Sequence, residues 1–235
     1  MKYEEMYRGI FRGRPNRFLA DVELEGKTER CHVKNTGRLR ELLLPGTPVW
    51  LQKSDKAERK TKYSLIAVEK RTRDGGSAIV NIDSQAPNEA AAQWVQQGAG
   101  GLFRQVELVK REKRFGNSRF DLYIEADGRR AFVEVKGVTL DVEGTARFPD
   151  APTERGIKHI EELVEARKAG YDAYLLFVIQ MKGIHRFEPN EKTHRAFGEA
   201  LRAAAAMGVK ILAYDCIVTE DTMEIDAPVE VNLYP

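Results

Sequence analysis

The stretch SRFDLYIEADGRRAFVEVKG, residues 118–137, contains two apolar runs on either side of Asp127-Gly128. An Asp-Gly pair between two such runs is a strong short-range signal for a β-hairpin. We therefore predict one strand over residues 120–125, a turn at Asp127-Gly128 and a second strand over residues 131–135. The rest of the second half can be organised around this hairpin.

The predicted hairpin brings charged side chains to one place. Successive strand residues point to opposite faces, so Glu134 and Lys136 share one face while Val133 and Val135 face a core. Pairing outward from the turn puts Asp121 approximately opposite Glu134. Two neighbouring carboxylates repel each other unless a cation lies between them. The sequence thus predicts a catalytic site formed by Asp121, Glu134 and Lys136.

Mg²⁺ (or Mn²⁺) is the cation that such a site would suit, because it prefers carboxylate, carbonyl and water oxygens. Asp121 and Glu134 are the predicted ligands, with the main-chain carbonyl of Val135 as a third. Lys136 would orient a metal-bound water or stabilise charge on a phosphate. The alternative is an exposed hairpin with a cross-strand ion pair worth under about 1 kcal/mol.

Glu89 and Glu112 are further candidate metal ligands, from the helix and the segment that precede the hairpin. The alternative for Glu89 is a solvated helix surface. For Glu112 it is an ion pair with Arg111 or Lys113 at a strand edge.

The other apolar patterns of the second half predict helices and strands in alternation. We predict helices over residues 88–97, 152–169 and 190–207, and further strands over residues 102–109, 173–179 and 209–214. A strand meander followed by strand–helix–strand–helix–strand indicates an α/β layer with a mixed sheet.

The first half has a different character. Its short alternating runs predict strands over residues 7–11, 18–24, 30–33, 49–52, 64–70 and 78–82, with turns at 13–16 and 25–27 and a short helix over 38–44. Such a series suits a small β-barrel. We place the domain border near residues 83–88, which gives domains 1–83 and 84–235. The first carries 18 Lys and Arg against 12 Asp and Glu, whereas the second carries 20 against 24. A basic first domain favours a polyanionic partner.

Basic and aromatic residues are interleaved in the predicted barrel. Arg12, Arg14, Arg17 and Lys34 are close in sequence to Tyr7, Phe11 and Phe18. Barrels that bind single-stranded nucleic acid combine such residues for phosphate contact and base stacking. Asn35, Thr36 and Arg38 belong to a tight loop that could present amides to a phosphate. The alternatives are an ordinary turn before a helix, and aromatic rings that fill the barrel; we expect the latter of Phe18.

The predicted helix 152–169 has a polar stripe beside its apolar face. Arg155, Lys158, His159 and Glu162 recur at helical spacing. If the stripe faces the sheet edge, Arg155 and Lys158 could hold a phosphate and His159 could assist proton transfer. If it faces solvent, it is an ordinary polar surface.

Phe120-Asp121 with Glu134-Val135-Lys136 resembles the PD-(D/E)xK nuclease motif, with Phe in place of Pro. Longer segments resemble the sugar fermentation stimulation protein A (SfsA) family, in order along most of the chain. They are RFLADVEL (17–24), NTGRL (35–39), LLPGTPVWL (43–51), SRFD (118–121), EVKGVTL (134–140) and FPDAPTERGIKHIEEL (148–163).

The resemblance implies an N-terminal OB-fold domain and a C-terminal restriction-endonuclease-like domain. It also implies DNA binding and a regulatory part in sugar (maltose) metabolism. Two functions follow: an Mg²⁺-dependent nuclease that acts on DNA or, as the alternative, on RNA, or a catalytically silent, sequence-nonspecific DNA-binding regulator. A small-molecule enzyme is disfavoured, because the sequence has no GxGxxG, GxxxxGK[ST] or nucleophile-elbow motif.

Composition predicts a protein of the cytoplasm. Cys31 and Cys216 form no disulfide framework and no zinc spacing. There is no run of 18 apolar residues and no apolar signal-peptide segment at the N-terminus, so no membrane contact is expected.

Overall fold

The first six strands of the protein form one sheet that curls into a barrel. The structure, a computed structural model, describes residues 1–35, 37–55, 58–72, 75–116 and 118–235. The strands are β1 (Met6–Asn16), β2 (Leu19–Leu24), β3 (Lys27–Val33), β4 (Pro48–Lys53), β5 (Tyr63–Arg71) and β6 (Ser77–Asn81).

The barrel closes because β3 pairs with two strands. The sheet order is β3-β2-β1-β4-β5-β6, and β3 also pairs in parallel with β5. Along β2, Ala20, Val22 and Leu24 are buried while the residues between them are partly exposed. This period of two fills the barrel with every second side chain. The predicted OB-like barrel is confirmed.

Three local predictions for the barrel were wrong. Residues 38–44 form turns rather than a helix, because Leu39 has a φ of 49° and this left-handed conformation interrupts a right-handed helix. Residues 13–16 are the irregular end of β1 rather than a turn. Phe18 does not fill the barrel: it lies just before β2 and is 45% exposed.

The second half contains a larger sheet with helices on both faces. Its helices are α1 (Ala86–Gln96), α2 (Glu154–Lys168) and α3 (Glu191–Ala206). The strands of the second half are β7 (Val106–Phe115), β8 (Ser118–Ala126), β9 (Arg129–Val138), β10 (Asp141–Val142), β11 (Thr145–Phe148), β12 (Asp172–Ile179), β13 (Arg186–Pro189), β14 (Lys210–Val218), β15 (Met223–Pro228) and β16 (Glu230–Val231). Of these, β10, β11, β13 and β16 form a separate four-stranded sheet.

The main sheet has the order β15-β14-β12-β9-β8-β7. Strands β9, β12 and β14 are parallel, and the others pair antiparallel. The apolar run in β12 is buried on both faces, with Leu176 and Val178 in the cluster that contains α1, and Phe177 and Ile179 in the cluster that contains α2. The predicted mixed-sheet α/β architecture is confirmed.

The first strand of the main sheet begins later than predicted. The first strand of the sheet is β7, not residues 102–109, because a short 3₁₀ turn at Ala99–Gly101 delays it. Gly98, Gly100 and Gly101 all have positive φ there, and this conformation excludes an extended strand.

The pleat of the sheet is interrupted where β7 and β8 reach the carboxylate Asp121. Phe120 packs in the α2-side cluster and Leu122 in the α1-side cluster, although residues two apart in a regular strand share a face. On β7, Glu112 has a φ of 56° between Arg111 and Lys113, which pair with Leu122 and Phe120. The irregularity turns the backbone at Asp121.

A buried polar junction joins the barrel to the second domain. The Asn81 main-chain N–H donates to Gln180 O, and Gln180 Nε2 donates to Asn81 O and Asp83 O, all within 3.1 Å. Gly137 packs beneath Gln180 in the same place. None of the helices in the described part of the chain combines the length and apolar character needed to cross a membrane.

We expect Gly137→Ala to destabilise the protein. A Cβ at this position would lie 2.5 Å from Gln180 Oε1 and 2.7 Å from Pro87 Cγ. Overpacking of this kind typically costs about 1–3 kcal/mol, measured by urea unfolding. Gly13→Ala is the matched control, because its Cβ would meet nothing within 4 Å. Equal unfolding midpoints for the two variants would contradict the close packing of the junction.

Candidate active site

Asp121 lies at the opening between β8 and β9. The described pairing of these strands ends at Leu122 and Val133. Beyond it, the Val135 N–H donates to Asp121 Oδ2 at 2.8 Å, and Asn88 Nδ2 on α1 donates to Asp121 Oδ1 at 2.7 Å. The side-chain carboxylate thus takes the place of a main-chain acceptor in the ladder.

Glu134 is buried under α2, with 2% of its surface exposed. Its Oε1 accepts hydrogen bonds from Lys136 Nζ at 2.7 Å and from His159 Nδ1. Its Oε2 is also buried and has no hydrogen-bond partner among the described residues. An unsatisfied buried carboxylate oxygen is costly in a finished site, so this atom is suited to a further ligand.

His159 is hydrogen-bonded to Glu134. Arg155 Nε lies 3.3 Å from His159 Nε2, and an arginine nitrogen can only donate. His159 therefore carries its proton on Nδ1 and donates it to Glu134. Both ring nitrogens therefore have hydrogen-bond partners in the structure, and the proton transfer considered above stays a prediction.

The two carboxylates differ in their tendency to bind a proton. Burial, followed by the nearby Glu134 charge, raises the pKa of Asp121 from 3.8 to about 6. Burial also acts to raise the pKa of Glu134, but the hydrogen bond from His159 and the charge of Lys136 outweigh it and lower that pKa. In the metal-free protein, therefore, Glu134 carries the negative charge more readily than Asp121.

The ligand set fits a hard cation better than a transition metal. The structure brings together no group of three or more His, Cys, Asp or Glu side chains in its described part that could hold a metal ion. It does offer Asp121, the free Oε2 of Glu134 and the Val135 carbonyl, which points to the same strand edge as the Val135 N–H. Oxygen ligands completed by water are typical of Mg²⁺ and Ca²⁺.

Glu89 and Glu112 are engaged in ion pairs at the surface. Glu89 pairs with Arg111 across α1 and β7, with 41% of its side chain exposed. Glu112 pairs with Arg119 at 3.3 Å, not with Arg111 or Lys113 as the alternative proposed. Their predicted metal-binding function therefore requires these pairs to open.

Several side chains predicted to contact nucleic acid are hydrogen-bonded within the first domain. Arg14 donates to the carbonyls of Arg17, Asn35, Gly37 and Arg38, and burial lowers its pKa. The Asn35 side chain spans the Ile82 carbonyl and the Gly37 N–H. Lys34 pairs with the buried Asp83 at 2.9 Å. Arg14, Lys34 and Asn35 therefore hold the loop and the domain junction together.

Other predicted contacts remain accessible. Arg17 and Arg38 are exposed, and the Arg17 guanidinium stacks 4.8 Å from the Phe18 ring centroid. Arg12 is exposed but pairs with Glu23 at 2.7 Å. Thr36 lies outside the described residues.

On α2, Arg155 and Lys158 are exposed at the end nearest the carboxylates. Thr153 caps this helix by accepting the Gly156 N–H at 3.0 Å. Nearby, the Oδ2 of Asp150 lies 3.4 Å from the main-chain nitrogen of Arg38 in the first domain. The sequence analysis missed Asn88, because an asparagine in a helical first turn gives no sign of a distant carboxylate partner.

Comparison with known proteins gives a consistent assignment along the chain. Residues 13–82 match the family described as the SfsA N-terminal OB domain, and residues 85–222 match the sugar fermentation stimulation protein RE domain. A sugar fermentation stimulation protein homolog of Desulfitobacterium hafniense strain Y51 is 56% identical, with 99% of each chain covered. One of Ruminiclostridium cellulolyticum is 54% identical, covering 99% of this chain and 100% of its own.

A solved structure is also similar. It is described as the structure of Pyrococcus furiosus SfsA in complex with Ca²⁺. It has a TM-score of 0.86 and 29% sequence identity, and covers 99% of this chain and 98% of its own.

We expect Asp121→Asn to stabilise the metal-free protein at neutral pH. Because the folded pKa is raised from 3.8 to about 6, the stability that a protonated Asp121 contributes is complete below about pH 4 and is lost as pH rises through about 6. The loss amounts to at most about 3 kcal/mol. Asparagine cannot ionise, and Asn88 can rotate its amide to accept from it.

The measurement is urea unfolding in a chelator at about pH 5 and about pH 8, where the advantage of Asp121→Asn should grow with pH. Asp127→Asn is the control, because main-chain N–H groups of Gln105 and Arg104 lower the pKa of Asp127. This carboxylate is ionised in both the folded and the unfolded state from about pH 5 to about pH 8, so the relative stability of its variant should not change over that range. An Asp121→Asn variant whose relative stability falls with pH would contradict the assignment.

Proposed function

The chain belongs to the sugar fermentation stimulation protein (SfsA) family, and we propose that it binds DNA and hydrolyses its phosphodiester bonds with Mg²⁺ or Mn²⁺. The proposed catalytic residues are Asp121, Glu134 and Lys136. The observation that carries this proposal is the buried, unpaired Oε2 of Glu134, on a carboxylate close enough for its charge to raise the pKa of Asp121.

Asp121, Glu134 and the Val135 carbonyl would hold the cation, which supplies a Lewis acid and an activated water at the phosphate. The Ca²⁺ in the description of the similar P. furiosus structure supports a hard-cation site. His159 holds Glu134 in place from α2. Lys136, whose side chain is 15% exposed, would turn from Glu134 towards the developing phosphate charge.

Exposed basic residues on both domains would bind the backbone of the nucleic acid. Arg155 and Lys158 are exposed in the first turns of α2. They lie four residues and one residue before His159, which is hydrogen-bonded to Glu134. On the barrel, the exposed Phe18 ring with Arg17 stacked on it is suited to an unpaired base.

A second candidate is a DNA-binding regulator without catalysis, whose link to sugar metabolism is implied by the names of its relatives. The observation that favours it is the ion pair between Lys136 and Glu134, at 2.7 Å. If this pair persists when a cation binds, Lys136 is unavailable to the phosphate. Such a protein would bind DNA in a salt-dependent manner without cutting it.

We expect Lys136→Gln to separate these two functions. Incubation with labelled single- and double-stranded DNA and RNA in Mg²⁺ or Mn²⁺ should show cleavage of DNA by the wild type. The loss of charge stabilisation should slow the variant about 10²- to 10³-fold. Lys168→Gln, at the far end of α2, removes the same charge from an exposed ion pair and should cleave normally.

Calorimetry with Ca²⁺ supplies the second readout. The wild type and Lys136→Gln should both bind the ion, whereas Glu134→Gln should not, because it loses a charged ligand. If the wild type cleaves every substrate no faster than Asp121→Asn does, the nuclease is excluded and the DNA-binding regulator without catalysis remains. Cleavage of RNA alone would replace DNA as the substrate.

A further inference from the structure

The hairpin of β7 and β8 carries a local concentration of positive charge that the proposed site does not use. Residues 110–119 contain Lys110, Arg111, Lys113, Arg114 and Arg119 against one acidic residue, Glu112. The second half of the chain is acidic overall, with 20 Lys and Arg against 24 Asp and Glu in residues 84–235. The cluster is therefore a feature of this hairpin and not of its domain.

The basic side chains of the hairpin are accessible. Strand β7 is the last strand in the order of the main sheet, and residues 110–114 are all exposed. Arg111 pairs with Glu89, and Arg119 with Glu112. Lys110, Lys113 and Arg114 have no carboxylate partner among the described residues; Lys113 lies over the Tyr123 ring, 5.6 Å from its centroid.

Two like charges face each other near the end of the hairpin. Arg114 and Arg119 are direct cross-strand partners, and like charges at such positions destabilise a sheet. Glu112 offsets only one of them, at 3.3 Å from Arg119. A pair of this kind gains stability from an external anion that lies between the guanidinium groups.

The hairpin includes the strand β8 that carries Asp121. Arg119 is two residues before Asp121 on β8, and Lys113 pairs with Phe120 next to it. A strand residue advances about 3.3 Å, so Arg119 lies about 7 Å along the strand from Asp121. That distance is close to the spacing of neighbouring phosphates in a nucleic-acid strand.

We propose that the β7–β8 hairpin is a backbone clamp that binds the phosphates flanking the scissile bond, through Lys110, Lys113 and Arg114 with Arg119. The proposal rests on the proposed function, since it assumes a nucleic acid at the site. Its rival is edge protection, in which charged residues on an edge strand prevent sheet-to-sheet aggregation.

The test is fluorescence anisotropy with a labelled DNA duplex in Ca²⁺ over a series of salt concentrations, with a gel to check that the probe stays intact. The variant is Lys110→Gln/Lys113→Gln/Arg114→Gln. Each lost phosphate contact should lower the slope of log affinity against log salt by about 1, so we expect a total of about 2 to 3. We also expect at least about a tenfold loss of affinity at low salt.

The matched control is Lys168→Gln/Lys192→Gln/Arg195→Gln, which likewise removes three exposed charges, from α2 and α3, away from the hairpin. It should keep the wild-type slope. Calorimetry should show unchanged Ca²⁺ binding in both variants, which establishes that they are folded. A triple variant with the slope of this control would overturn the clamp and leave the proposed function intact.

Charge reversal separates the clamp from edge protection. Lys113→Glu/Arg114→Glu keeps the edge charged, so protection alone predicts normal binding, whereas the clamp predicts a larger loss of affinity than the Gln variant. Failure of the wild type to bind any nucleic acid would overturn the clamp and the proposed function together.

Discussion

The hydrogen bond from the Val135 N–H to the Asp121 carboxylate is the interaction on which the candidate site depends. It forms where the described pairing of β8 and β9 stops, so a side chain satisfies a donor that a main-chain carbonyl would otherwise accept. The same bond holds Asp121 close enough to Glu134 for their charges to interact.

The domain junction contacts the strand β9 that carries Glu134 and Lys136. Gln180 follows β12 and bonds to the last residues of the barrel, while packing against Gly137, the residue after Lys136. Apolar contacts also cross the junction, since Trp50 and Ile66 of the barrel belong to the cluster that contains α1. The orientation of the barrel is thereby coupled to the strand that carries Glu134 and Lys136.

Burial explains why the two carboxylates of the candidate site are suited to a cation. Asp121 and Glu134 share a region of low solvation, where two negative charges are unfavourable together. Lys136 and His159 satisfy one oxygen of Glu134, and nothing among the described residues satisfies the other. The difference between the two oxygens of Glu134 is a property of the folded protein without ligand, because the partners of Oε1 lie on α2 and β9.

Sequence patterns were sufficient for the hairpin, the mixed sheet and the barrel, because each follows from a local period of apolar residues and from turn residues such as Asp127-Gly128. They failed at residues 38–44, where a helical pattern of leucines is overridden by the positive φ of Leu39 and the need to cover the barrel. They also misjudged Phe18, because its burial depends on where β2 begins.

By itself, the sequence determined which residue types surround the candidate site: two carboxylates, a lysine and a basic helix end. Only the tertiary structure decided how they act. It paired His159 with Glu134, Asn88 with Asp121, Arg14 with loop carbonyls and Lys34 with Asp83. The reason is physical: hydrogen-bond partners and burial depend on contacts between residues far apart in the chain, which no local pattern encodes.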